Sequence, residues 1–259
     1  MRIIVPSLGR AGTAASMKWL MLSKRPITFA VHEDEAIAYT KAYEGRYISK
    51  TDKPEAHVDI MILSEECRRH TGKVRQEIMK NIRYPFIFCD DDIRISLKSV
   101  TSVDAVFDIL EHHIKCGASM AGLGQQLFSN MQMEKCELIN NDPYVIRNHF
   151  VATVYAINPL DFDTCPLEKL PVYEDISLVL HSILYGGGTI TSYCATHSNV
   201  SPPTGGCNQW RNEIITLESL LKLVELYPGI CSIKDTSNTT HSQNIGLGLR
   251  TAWSKIRKI

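Results

Sequence analysis

The sequence lacks net charge, long hydrophobic runs and paired cysteines. Its 28 Lys and Arg residues balance 28 Asp and Glu residues, so no protein-wide field favours a polyanionic partner, although a local basic patch stays open. No stretch approaches the roughly 20 apolar residues that a membrane span requires. The N-terminus also lacks the apolar core of a secretion signal. We therefore expect a cytoplasmic protein.

The eight cysteines are scattered, and no CxxC pair occurs among them. A zinc site built on thiolates is therefore poorly supported. Small buried thiols in a reducing compartment are the expected alternative. The positions concerned are Cys67, Cys89, Cys116, Cys136, Cys165, Cys194, Cys207 and Cys231.

Apolar residues make up 44% of the 259 residues and charged residues 22%, as in ordinary globular proteins. Strand and helix patterns alternate over the first hundred residues, which predicts a mainly parallel sheet with helices on both faces. The pattern then becomes more mixed, and no linker or repeat interrupts it. We expect one α/β domain over 1–259. The predicted strands are 2–7, 57–66, 85–90, 119–128, 149–158 and 189–197, and the predicted helices are 15–22, 72–82, 102–116, 174–188 and 213–228. The segment 26–35 is predicted as a strand that runs into an acidic loop and a short helix.

The stretch "RYPFIFCDDDIRIS" (83–96) places three aspartates directly after an apolar strand. Carboxylates at the mouth of a buried strand repel one another and lose hydration. Alternate residues of an extended segment point the same way, so Asp90 and Asp92 can converge on Mg²⁺ or Mn²⁺ with a substrate diphosphate. The alternatives are a solvated acidic turn and the nucleophile of a phosphatase. The second is disfavoured because it needs an Asp-x-Asp-x-Thr-like sequence, usually on the first strand.

The ordered set of motifs resembles GT-A glycosyltransferases over roughly residues 1–210. It comprises a Pro-ended first strand, an acidic second-strand loop, "TGKVRQEIMKNIRYPFIFCDDD" and "YEDISLVL". Gly72 and Arg75 match the helix that precedes the metal strand in that family. The resemblance implies a Rossmann-like nucleotide-binding fold, in which 1–100 binds a nucleotide sugar and 101–259 binds the acceptor. It assigns the metal to Asp90 and Asp92, with His197 as a third ligand or an ordinary strand-end histidine.

The segments "VPSLGRAG", "FCDDD" and "TGGCNQWR" resemble the phage TET-associated glycosyltransferases, which modify hydroxymethylpyrimidines in DNA. This resemblance implies a UDP-sugar donor, Mn²⁺ or Mg²⁺, a hydroxymethylated DNA acceptor and the cytoplasm of an infected host. A saccharide or lipid-linked acceptor is the alternative. The basic segment 250–259 is either a contact for the DNA backbone or a solvated tail.

Donor-binding residues are expected at the ends of the early strands and in the glycine-rich loop 199–211. The glycines of "PSLGRAG" allow backbone N–H groups to approach a ligand, unless the segment is a plain turn. Glu33 would contact ribose or serve as an acid at a helix N-terminus. The full predicted donor set is Pro6, Ser7, Gly9, Arg10, Glu33, Arg75, Asp90, Asp91, Trp210 and Arg211.

Glu174 and Asp175 begin a predicted helix, where acids are ordinary as caps and dipole partners. The family resemblance instead implies that the acidic pair of an inverting enzyme supplies the catalytic base. The last acid of the pair usually serves, which is Asp175, with Glu174 as its substitute. Two further hypotheses are a non-catalytic nucleotide- or DNA-binding module of the same fold and a metal-dependent phosphatase or nucleotidyltransferase.

Overall fold

The computed structural model describes residues 1–43, 58–126, 135–140, 142–200, 206, 210–235 and 247–252. The helices in these residues are α1 (Met17–Leu20), α2 (Glu33–Tyr43), α3 (Thr71–Asn81), α4 (Val103–Lys115), α5 (Glu174–Tyr185) and α6 (Glu213–Leu226). The strands are β1 (Ile3–Pro6), β2 (Ile27–His32), β3 (Val58–Leu63), β4 (Phe86–Cys89), β5 (Ile93–Leu97), β6 (Met120–Gln125), β7 (Glu137–Ile139), β8 (Asp142–Arg147), β9 (Val154–Ile157), β10 (Thr189–Asn199), β11 (Cys231–Asp235) and β12 (Leu247–Thr251). Within these residues, no helix is both long and apolar enough to cross a membrane.

One mixed sheet organises the described residues, in the order β3-β2-β1-β4-β9-β6-β10-β8-β7, with β5 paired to β10. Strands β3, β2, β1 and β4 are all parallel, and β6 is parallel to β10. β9 runs antiparallel between β4 and β6. The predicted α/β class with a mainly parallel central sheet is confirmed. The parallel half brings the carboxyl ends of β1, β2, β3 and β4 to one edge.

Apolar side chains are buried on both faces of the sheet, which fixes helices against each face. Ile3 and Val5 of β1 point into a core shared with α1, α2 and α4. Ile4, between them, points into a second core shared with α3, α5 and α6. The alternation follows from the two-residue period of a strand. The helical cover predicted on both faces is therefore present.

Several elements differ from the sequence-based expectation. Helix α1 is a single turn, shorter than the predicted 15–22. β5 follows the aspartates directly and pairs antiparallel with β10, while β7 and β8 form a hairpin that was not predicted. Among the described cysteines Cys116 is exposed and Cys136 is partly exposed, whereas the buried ones are Cys67, Cys89, Cys165, Cys194 and Cys231.

Candidate functional site

A cavity of about 510 Å³ lies at the carboxyl edge of the parallel strands. The ends of β1, β2, β3 and β4, the first turns of α3 and α5, and the segment before α6 all contribute to its walls. Ligand sites in open α/β sheets form at this edge because the loops there diverge and leave a crevice. The cavity contains the three consecutive aspartates, four arginines and the acidic start of α5.

The aspartates have three different environments. Asp90 Oδ1 accepts a hydrogen bond from Arg75 Nη2 at 2.7 Å. Asp91 is buried and accepts hydrogen bonds from Ser7 Oγ and Arg10 Nη1, yet burial still raises the pKa of its carboxyl to about 6. Asp92 lies 3.3 Å from Arg10, and burial together with the charge of Asp90 raises its pKa. Asp90 and Asp92 are thus close enough to interact, while Asp91 is directed towards β1.

A hydrogen-bonded chain fixes the loop after β1. The Arg10 backbone N–H donates to Tyr39 Oη at 3.0 Å, and Tyr39 Oη lies 2.5 Å from Ser7 Oγ, which in turn donates to Asp91. Burial raises the pKa of Tyr39, so its hydroxyl stays protonated. This chain holds the Arg10 guanidinium beside Asp91 and Asp92 at the cavity wall. Pro6 also lines the cavity.

Two residues of the predicted donor set lie away from the cavity wall. Gly9 is exposed, and its N–H donates to the Glu35 carboxylate rather than towards the cavity. Glu33 is the exposed first residue of α2, where a carboxylate is favoured by the helix dipole. The structure therefore favours the ordinary alternatives given for these positions.

Arg75 is buried between the two halves of the site. Besides Asp90, its guanidinium meets Glu174 Oε1, 3.5 Å from Nε. Its Cζ lies 4.6 Å from the centroid of the Phe88 ring and 5.8 Å from that of Tyr155. The predicted phosphate-binding arginine is thus engaged with two carboxylates and two aromatic rings.

The two acids at the start of α5 differ in their hydrogen-bond partners. Glu174 is buried, and its Oε2 accepts a hydrogen bond from Thr71 Oγ1 at 2.5 Å. Asp175 is partly buried, and its Oδ1 accepts from the backbone N–H of Ile176 at 2.8 Å. Burial, followed by the charge of Glu174, raises the pKa of Asp175 to about 7. A carboxyl that titrates near neutrality is suited to general-base chemistry, whereas Glu174 is committed to its partners.

His197 does not join the aspartates at the cavity wall. It is buried, its Nδ1 lies 3.0 Å from Thr153 Oγ1, and burial lowers its pKa to about 4. In the part of the chain that the structure describes, no three His, Cys, Asp or Glu side chains are arranged to hold a metal ion. The predicted set of Asp90, Asp92 and His197 is therefore not assembled.

Two of the predicted ligands nonetheless fit a divalent cation. The hydrogen bond that Asp90 accepts from Arg75 goes to Oδ1, which leaves its second oxygen as a candidate ligand. Asp92 adds a second carboxylate, whose pKa is raised first by burial and then by the charge of Asp90. Mg²⁺ commonly takes one or two protein carboxylates and completes its shell with water and substrate phosphate. Asp90 and Asp92 match that pattern without a histidine.

Trp210 and Arg211, just before α6, contribute to the cavity wall. Arg211 Cζ lies 5.1 Å from the centroid of the Tyr173 ring. Tyr173 has a left-handed backbone with φ of 66° immediately before α5. The Gly206 N–H donates to Leu8 O at 2.9 Å, which joins this segment to the loop after β1. Residues 201–205, 207–209 and 253–259 lie outside the described residues.

Sequence reasoning missed several wall residues. Thr71 carries the hydrogen bond to Glu174, and its position directly before Gly72 at a predicted helix start was an available signal. Tyr39 lies behind the wall and was not assigned, although its hydroxyl holds Ser7 and the Arg10 backbone. The remaining unassigned wall residues include His32, Leu63, Cys67, Arg69, His70 and Thr153.

No protein-family model and no curated protein matches this sequence. The structure of the inositol-1-phosphate CTP transferase from T. maritima matches 84% of this chain and 94% of its own, with a TM-score of 0.43 and 10% identity. The crystal structure of UDP-glucose pyrophosphorylase complexed with UDP-glucose matches 86% of this chain and 98% of its own, with a TM-score of 0.39 and 10% identity. Neither similarity assigns a reaction or a substrate to this chain.

Proposed function

We propose that this protein is a metal-dependent glycosyltransferase that moves a sugar from a nucleotide-sugar donor to a hydroxyl acceptor. The observation that supports it is a single cavity in which Asp90 and Asp92, at the end of β4, face the start of α5 with Asp175. A cation site for a diphosphate and a carboxyl of raised pKa are the two groups that such a transfer needs.

Each residue has a defined task in this proposal. Asp90 and Asp92 hold Mn²⁺ or Mg²⁺, which when bound neutralises the departing nucleoside diphosphate. Asp175 accepts the proton of the acceptor hydroxyl, because its pKa of about 7 leaves a substantial ionised fraction at neutral pH. Arg10, held at the cavity wall by Asp91, adds positive charge beside the diphosphate.

The acceptor that we propose is a hydroxymethylated pyrimidine in DNA. Trp210, Arg211 and Tyr173 support it because aromatic and guanidinium groups at the wall can stack on a planar base. A base in a duplex would have to leave the helix to reach this cavity. A saccharide or lipid-linked acceptor needs the same Asp90, Asp92 and Asp175 but no base-stacking wall.

The test uses purified protein, Mn²⁺, a panel of nucleotide sugars and DNA that contains 5-hydroxymethylcytosine or 5-hydroxymethyluracil. Mass spectrometry of the digested nucleosides detects transfer. Asp92→Ala is expected to abolish it, whereas Asp163→Ala, which removes an exposed partner of Arg83, is expected to leave it unchanged.

The products separate the alternatives. A sugar-sized mass gain that Asp92→Ala abolishes supports both the reaction and the acceptor. Metal-dependent hydrolysis of the donor without modified DNA excludes the DNA acceptor but remains consistent with a glycosyltransferase that acts on another acceptor. Transfer of a nucleotidyl group instead of a sugar identifies a nucleotidyltransferase. Donor binding without any turnover identifies a binding module and overturns the proposal.

A further inference from the structure

Arg75 joins the two elements that carry the chemistry of the site. Its Nη2 donates to Asp90 at the end of β4, and its Nε lies 3.5 Å from Glu174 at the start of α5. Its side chain is only 10% exposed, and its remaining terminal nitrogen, Nη1, is buried with no hydrogen-bond partner in the described part of the chain. Two nitrogens of the guanidinium are therefore engaged by carboxylates of the protein, from β4 and α5, at the wall of the cavity.

The surroundings of Arg75 restrict its movement. The rings of Phe88 and Tyr155 pack against the guanidinium. Its helix is anchored as well, because Thr71 donates from both N and Oγ1 to Pro171 O. A Cβ at Gly72 would overlap backbone carbonyl oxygens at Leu167 and Leu170, so α3 and the segment before α5 are in direct contact.

We propose that Arg75 is a positioning residue that orients Asp90 for the cation and fixes the start of α5, rather than a ligand of the donor phosphates. Arg75 fixes the Asp90 carboxylate through a hydrogen bond to Oδ1, which restricts the positions that its second oxygen can take for a cation. Through Glu174 it holds the first turn of α5, and hence Asp175, at a fixed distance from that carboxylate. Groups that orient metal ligands in this way typically contribute 10–100-fold to metal affinity.

The test measures Mn²⁺ affinity by electron paramagnetic resonance on the protein without donor or acceptor. Arg75→Lys keeps the charge but cannot span both carboxylates, so we expect the Mn²⁺ Kd to rise about 10–100-fold. Thr71→Val removes the hydroxyl that lies within hydrogen-bond distance of Glu174 Oε2 and Pro171 O, and it leaves the contact between Arg75 and Asp90 in place. It is expected to leave the Kd unchanged and to lower kcat.

Arg83→Lys is the matched control, because Arg83 contacts both oxygens of Asp163 at 2.7 and 2.8 Å outside the cavity. It is expected to leave the Mn²⁺ Kd unchanged. If Arg75→Lys does not fold by circular dichroism, Phe88→Leu removes the packed ring and keeps the guanidinium. Phe88→Leu should then raise the Kd in the same direction by a smaller factor.

An unchanged Mn²⁺ Kd in folded Arg75→Lys, together with a raised KM for the donor alone, would overturn the proposal and make Arg75 a phosphate ligand. Absence of Mn²⁺ binding by the wild-type protein would also overturn it. The inference rests on the proposed function for its cation. Failure of sugar transfer with an intact Mn²⁺ effect would contradict the proposed reaction and keep this role of Arg75.

Discussion

Neutralising the two acids at the start of α5 is expected to change stability in opposite directions. In Asp175→Asn, the substitution removes a carboxylate whose burial and proximity to Glu174 oppose ionisation. In Glu174→Gln, it removes a charge that faces the buried Arg75. Both replacements keep the shape of the side chain and an oxygen acceptor. The pair therefore isolates the effect of charge.

The size of each effect follows from the geometry. A rise in the pKa of Asp175 from 3.8 to about 7 corresponds to about 4 kcal/mol. Because water in the open cavity screens the charge, we expect Asp175→Asn to stabilise the metal-free protein by about 1–2 kcal/mol. Glu174→Gln should destabilise it by about 2 kcal/mol, below the 3–5 kcal/mol of a fully broken buried pair, since Arg75 keeps Asp90.

The pH dependence of stability tests the predicted sign of the effect of Asp175→Asn independently. Because the folded-state pKa of Asp175 lies above its unfolded value, its ionisation opposes folding increasingly from about pH 4 to pH 7. The gain in Asp175→Asn should therefore be larger at pH 8 than at pH 4.5. Thermal melts in EDTA would show an increase in Tm of about 2–8 °C at pH 8. The same variant should lose about 10²–10⁴-fold in kcat.

A lower Tm for Asp175→Asn at both pH values would refute this reasoning. It would mean that Asp175 stabilises the first turn of α5 as a cap and that its carboxylate is adequately solvated. A higher Tm without loss of sugar transfer would confirm that the ionised Asp175 destabilises the fold, and it would show that Asp175 is not the catalytic base.

Three further predictions test other contacts. Glu111 contacts the Met1 amino group, Arg25 and Lys115, and these cations lower the pKa of its carboxyl to about 2. Glu111→Gln should therefore reduce the free energy of unfolding, measured in urea, by about 1 kcal/mol at pH 7. The reduction should become smaller as the pH falls from 4.5 towards 2. Gly72→Ala should destabilise by about 1–3 kcal/mol in thermal melts, because its Cβ would overlap backbone carbonyls, whereas Lys73→Ala on the same helix should change little. Gly206 has φ of +68°, and a Cβ there would lie 2.5 Å from Arg10 Nη2, so Gly206→Ala should raise the donor KM in steady-state assays and also lower the Tm through backbone strain.

Much of the parallel half of the sheet was predictable from local pattern. β1, β2 and β4 are short apolar runs ended by a turn or by charged residues, and α3 follows its helical period. β5 and β8 were missed because "IRISL" and "DPYVIR" mix polar and apolar residues. Their strand geometry depends on pairing with β10, more than 40 residues away in sequence. Such pairing leaves little local signal.

The site was predictable as a location but not as a set of contacts. Parallel strands end at one edge, which brings Arg10 and the aspartates together by topology alone. The partners within that edge depend on side-chain packing: Thr71 and Glu174 are 103 residues apart, and Arg75 meets two carboxylates from different elements. Gly9 was predicted to approach a ligand because it lies in the glycine-containing loop after β1, and His197 was assigned as a metal ligand by the family resemblance. The Gly9 N–H instead donates to Glu35, and His197 Nδ1 lies 3.0 Å from Thr153 Oγ1.

The different environments of the aspartates limit what a cation would have to neutralise. Asp91 is held by Arg10 and Ser7, and Asp90 is held on one oxygen by Arg75. Asp92 and Asp175 differ from these two. Burial is the largest cause of their raised pKa values, and the charge of a neighbouring carboxylate, Asp90 or Glu174, is the second. In the proposed function, one divalent cation on Asp90 and Asp92 would offset the mutual repulsion of these two partly exposed carboxylates, while Arg10 already offsets the buried Asp91.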